Sequence, residues 1–230
     1  NLVTTEVAHV TSQVTFPAYS KLQDDMPRLR EAFLRTVDLV GSFAMPISAG
    51  IVLLAPDFVR LFLGEKWMPM LPAVRVLAVS GLIRSVAATG GPLFQAAGLP
   101  NMDSWMNAGR VGLMTISIYP LTTRFGMSGT AAAVLLGIAA TIPVWWCTSC
   151  KITGSNWRYL LKPMAPALVA SAVMVVSVWC ARQALGEVGF VDFALCVLIG
   201  IVTYTAMQVL LWAKYSCGWL QSLEFLSRSL

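Results

Sequence analysis

Charged side chains are too sparse in this sequence to clothe a water-soluble globule. They make up 12% of 230 residues, against about a quarter in an ordinary soluble domain, while 57% of the residues are hydrophobic. Lipid must cover much of the chain. Histidine is nearly absent, His9 being the one example, so no zinc-type His-Glu pair and no Ser or Cys with a His partner can be assembled, and no Gly-rich phosphate loop is found. Without these constellations the expectation is a non-enzyme with no catalytic residues, no metal and no cofactor. The five cysteines, Cys147, Cys150, Cys180, Cys196 and Cys217, lie mostly in apolar stretches and lack the paired spacing of a disulfide framework. Cys147 and Cys150 make a C-x-x-C, but no second pair or nearby His completes a metal site, so they read as small apolar residues. A signal peptide is lacking too. The chain opens at Asn1 inside a helical pattern, from which a fragment of a longer protein is expected.

Long apolar runs, by contrast, are plentiful. A bilayer core about 30 Å thick needs about 20 mostly apolar residues per spanning helix. Six windows qualify: Asp38 to Phe62, Met70 to Ala97, Met102 to Leu121, Met127 to Ser149, Pro163 to Arg182 and Phe190 to Trp212. Ahead of them, residues 1–19 read as the end of a helix too polar to face lipid, closing at Phe16, Pro17 and Tyr19, which suit a terminus at the membrane surface. The predicted fold class is therefore all-α, a polytopic transmembrane bundle of about six full spans plus the end of a seventh.

The net charge of +5 does not point to nucleic acid, because the Lys and Arg residues sit in short connectors and form no single basic face. They orient the chain instead. Lys21, Arg28, Arg30 and Arg35, then Lys151, Arg158 and Lys162, then Lys214 and Arg228 fall on one side; Arg60, Lys66, Arg124 and Arg182 fall on the other. The positive-inside rule makes the richer side cytoplasmic. The expected organisation is a cytoplasmic helix end at 1–19, a cytoplasmic amphipathic connector at 20–37, four spans in 38–149, a cytoplasmic loop at 150–162, two spans in 163–212 and a cytoplasmic tail at 213–230. Within the connector, Leu22, Met26, Leu29, Phe33 and Val37 recur at helical spacing, as expected of a helix lying on the inner leaflet.

Small residues mark where helices approach closely, and Gly129, Ala133 and Gly137, like Ser104, Ala108 and Gly112, are spaced as packing seams. Polar residues in spans face protein or a wet cavity. Asp103, Asn107, Arg110 and Ser117 fall within about 80° on one helix, while Ser80, Arg84 and Gln95 share a face of the preceding one, near an interruption at Gly91 and Pro92. Arg75 points the opposite way, near the outer end, and reads as snorkelling to the interface. Thr5, Glu6, His9, Ser12 and Gln13 fit within about 120° of the incomplete first helix. Guanidinium groups are always charged and grip phosphate bidentately, so a polar cationic interior favours a transporter of an anionic or phosphate-bearing substrate. A structural pair of Arg110 with Asp103 is the alternative.

Four stretches resemble one family: VTFPAYSKLQDD (Val14 to Asp25), the segment from Pro46 to Ser85, LFQAAGLPN (Leu93 to Asn101) and RFGMSGTAAA (Arg124 to Ala133). The chain resembles the C-terminal half of bacterial polysaccharide exporters, the lipid-linked oligosaccharide flippases of the multidrug, oligosaccharidyl-lipid and polysaccharide exporter superfamily. The resemblance implies about twelve to fourteen helices in two bundles around a cavity that works by alternating access. It also implies an undecaprenyl-pyrophosphate-linked glycan as substrate, a bacterial inner-membrane location with a cytoplasmic C-terminus, and lipids and the missing N-terminal bundle as partners. Arg84, Arg110, Asn107, Gln95 and Gln13 are then cavity candidates for substrate, and Glu6 is the candidate for ion coupling. A small-molecule or drug exporter of the same superfamily would prefer acidic and aromatic cavity residues. A membrane enzyme of glycan assembly would be expected to carry a large external loop, where this chain has short ones.

Overall fold

A computed structural model describes residue 19 and residues 25–154, 163–185 and 189–227, with side chains through 211 in the last stretch. The chain divides into two compact units, residues 1–165 and 166–230. In the first, α1 (Met26–Phe58) is followed by a π turn (Val59–Leu63), a 3-10 turn (Glu65–Met70), α2 (Leu71–Ala88), α3 (Gly90–Ala96) and α4 (Pro100–Thr153); α5 (Met164–Leu185) and α6 (Phe190–Ser227) follow. Every described element is helical, and the polytopic all-α bundle expected from the apolar runs is what forms.

Asp25 starts α1 as an N-cap, its carboxylate accepting the backbone N–H of Arg28 at 3.2 Å, with Pro27 in the first turn where its missing N–H costs nothing. The helix then runs through Asp38 without a break, so the connector and the first full span are one rod. Leu29, Phe33 and Val37 are at most 1% exposed. Of the apolar stripe expected to lie on the leaflet, these three are covered by protein, while Met26 is exposed and Leu22 lies outside the described residues. The neighbours of the three are Leu93, Phe94, Ala96, Trp145 and Tyr19, which form one core at this end of the bundle. Phe33 and Trp145 are a tilted ring pair at 6.3 Å. The Tyr19 hydroxyl donates to Thr36 Oγ1 at 2.7 Å, and Thr36 donates in turn to the Ala32 carbonyl.

Pro92 explains the break between α2 and α3. It has no N–H for the Ala88 carbonyl four residues earlier, and its ring crowds that oxygen. The chain answers with a tight turn at Thr89, whose N–H and hydroxyl both donate to Val86. After α3, Gly98 adopts φ +74°, the Leu99 N–H reaches the Phe94 carbonyl and the Gly98 N–H reaches that of Gln95. This paired closure ends the helix and sends the chain back at Pro100.

At 54 residues, a straight α4 would be about 80 Å long, far more than one crossing. Gly126 divides it, with φ 58° and ψ −135° inside the helical run. The arms on either side fold against each other: a Cβ on Gly129 would collide with the Leu121 carbonyl, and the hydroxyls of Thr122 and Thr130 meet at 2.9 Å. Two crossings therefore come from α4, and the expected six full spans stand. Gly129, Ala133 and Gly137 are buried in this seam, as expected. The other small-residue stripe is not a seam within the chain, for Ser104, Ala108 and Gly112 are exposed and nothing lies within 4 Å of a Cβ at Gly112. In the second unit, Gly200 of α6 packs on Val178 and Met174 of α5.

Candidate functional site

The polar candidates gather where α2, α3 and the first arm of α4 run side by side. Gly91 of α3 faces Asp103 of α4: a Cβ there would stand 3.8 Å from the nearer carboxylate oxygen. Arg84 lies seven residues before Gly91, on α2 beyond the Thr89 turn, and Arg110 seven residues after Asp103 on α4. Both arginines are half-buried.

Arg110 is held by a glycine of the seam. A Cβ on Gly137 would lie 3.0 Å from the Arg110 carbonyl oxygen and 3.5 Å from its Cγ, so the side-chain stem crosses the second arm where no side chain competes. Arg110 and Asp103 do not form the structural ion pair weighed as an alternative. Ion pairs join Arg28 to Asp25 and Arg35 to Glu31 instead. The Arg110 guanidinium has no protein partner among the described residues, whereas Arg84 is engaged by a neighbour.

The remaining candidates are less enclosed. Asn107 is exposed and donates to its own helix, to the Asp103 carbonyl at 3.0 Å. Gln95 is exposed on α3. Ser117 is half-buried and bonds to the Leu113 carbonyl, and Ser80, 3% exposed, bonds to that of Val76. Glu6 and Gln13 lie outside the described residues. The structure thus sets Asp103, Asn107 and Arg110 along the first arm of α4, with Gly91 of α3 beside Asp103 and Gly137 beside Arg110. Among the described residues, no group of three or more His, Cys, Asp or Glu side chains is placed to hold a metal.

Two polar residues at the opposite end of α1 carry more than their sequence positions announced. Asp57 is 3% exposed, just before the π turn that the Gly64 N–H closes onto Val59. A carboxylate inside an apolar run was the signal available for it. Arg75 does not simply snorkel: its Nε donates to the Val52 carbonyl at 3.3 Å. The signal there was Pro56, which cannot supply the N–H that Val52 would otherwise accept.

Long apolar helices in an all-α bundle, together with the polar residues along the first arm of α4, define a polytopic membrane protein. Comparison with known proteins gives its kind. The family described as polysaccharide biosynthesis protein matches residues 1–72. The chain is 31% identical over 170 residues to the lipopolysaccharide biosynthesis protein WzxC of Escherichia coli (strain K12), covering 73% of this chain and 35% of that protein. It is 31% identical over 131 residues to an uncharacterized membrane protein in the cps region of Klebsiella pneumoniae, covering 57% and 27%. It is 23% identical over 170 residues to the teichuronic acid biosynthesis protein TuaB of Bacillus subtilis (strain 168), covering 73% and 35%. No solved structure matches. The chain spans about a third of the length of the curated relatives it matches. It is a relative of the membrane proteins of polysaccharide biosynthesis, as the sequence resemblance implied.

Proposed function

We propose that the chain is one half of a transporter that carries an undecaprenyl-pyrophosphate-linked oligosaccharide across the bacterial inner membrane by alternating access, for surface polysaccharide assembly. The observation that carries this reading is Arg110. A half-buried guanidinium, seated on Gly137 and lacking a protein partner among the described residues, calls for an anion. Arg84, the cation on the polar face of neighbouring α2, would add a second positive charge, which suits a substrate with more than one anionic group. Pyrophosphate has the right charge and accepts bidentate hydrogen bonds. Asn107 and Gln95, on the exposed border, are placed to meet sugar hydroxyls. Glu6 and Gln13 keep their proposed roles in ion coupling and substrate contact.

Carriage is the reading that the similarity to polysaccharide biosynthesis proteins and the half-buried Arg110 support. The rest of the transporter would supply the opposing wall of the cavity. The positive-inside charge pattern supports a cytoplasmic C-terminus.

The test is complementation of a strain lacking its own flippase by the full-length protein and by Arg84→Ala, Arg110→Ala and the double variant, each checked for membrane insertion. Loss of surface polysaccharide with normal insertion is expected. Wild-type polysaccharide from the double variant would remove the pyrophosphate role.

A further inference from the structure

Arg75 of α2 is exposed yet tied to the backbone of α1. Pro56 leaves the Val52 carbonyl without its intrahelical donor, and Arg75 of α2 supplies one through Nε at 3.3 Å. Carbonyls of α1 point toward the end of the bundle that carries the Glu65–Met70 turn. Side chains of α2, which starts at that end, lean the same way. The guanidinium is therefore drawn toward that membrane surface and held by one of its five N–H groups. With Nε anchored on backbone, the two terminal nitrogens form a fixed fork facing outward. Among the described residues they have no partner, and Arg75 is exposed. Its helix neighbours on that face, Pro72 and Val79, are exposed and apolar. Trp67, 47% exposed in the turn beyond, is of the residue type that settles at headgroup level.

A permanent cation at such a place is costly unless an anion accompanies it, and the anion abundant at that depth is a lipid phosphate diester. We propose that Arg75, pre-oriented by the Val52 carbonyl that Pro56 exposes, binds the phosphate of an anionic phospholipid at the flank of α1 and α2. This site is separate from Arg84 and Arg110, and it holds whether or not the chain carries a glycan.

Native mass spectrometry of the full-length protein, titrated with phosphatidylglycerol in mild detergent, tests it. Arg75→Ala should weaken the tightest-bound lipid by about tenfold, the loss of one bidentate charge-assisted pair, and Arg75→Lys should fall between. Since Arg75→Ala leaves the Val52 carbonyl bare and threatens the fold, the double variant with Pro56→Ala is measured too. There the backbone N–H gained at position 56 satisfies Val52, and the same loss of lipid is expected. Undiminished lipid binding by a folded double variant would overturn the site. Displacement of the lipid by equimolar inorganic phosphate would overturn its assignment to a lipid headgroup.

Discussion

Trp145 lies across Gly90 so closely that a Cβ on the glycine would collide with the indole Nε1. Gly90 sits at the break between α2 and α3, so the kinked backbone and the indole share one space. Gly90→Ala must push aside a ring that is 3% exposed and packed on Phe33. A loss of about 1–3 kcal/mol is expected. Gly112→Ala, with open space around it, should change stability little or raise it by about 0.5–1 kcal/mol through helix propensity. Thermal unfolding of the two variants in detergent compares them, and equal midpoints would contradict the close packing.

Pro56 and Arg75 should be energetically coupled through Val52. Arg75→Ala orphans a carbonyl and should cost about 1–3 kcal/mol in the native background. After Pro56→Ala the carbonyl has a donor of its own, and the same arginine change should cost less than half as much. A thermal-stability cycle of the four proteins reads the coupling, and strict additivity would rule it out.

Tyr19 and Thr36 make an asymmetric pair. Tyr19→Phe removes one hydrogen bond and leaves Thr36 still donating to Ala32, at a cost of about 1 kcal/mol. Thr36→Val leaves the phenol buried without its acceptor, so about 1–3 kcal/mol is expected. Burial pushes the Tyr19 phenol up to about 12, a rise that the Thr36 hydrogen bond only partly offsets. A raised pKa favours the neutral form in the fold. Its contribution is thus complete below the ordinary phenol value of about 10 and disappears as the pH rises through 12. Tyr19→Phe should lose that alkaline sensitivity in pH-dependent unfolding.

Asn107 separates folding from transport. Its side chain bonds only to its own helix and is exposed, so Asn107→Ala should alter stability by no more than about 0.5 kcal/mol. If it meets sugar, polysaccharide output in complementation should fall while protein level and melting stay constant. Unchanged output would remove it from the site.

Periodicity and composition determined the helices, because each is a property of one segment in lipid: an apolar run of sufficient length must become a helix to satisfy its own backbone. The crossing boundary near Gly126 and the break near Pro92 were legible for the same reason, being local backbone chemistry. Tertiary structure decided which faces are covered. Leu29, Phe33 and Val37 have a spacing that suits a leaflet or a protein core equally, and only Trp145 and Phe94 folding over them chose the core. Two small-residue stripes look alike in sequence, yet one is a seam and the other open, since close approach depends on the opposing helix. Likewise, that Gly137 seats Arg110 and that Pro56 calls Arg75 to Val52 depend on contacts between helices, which no single segment specifies.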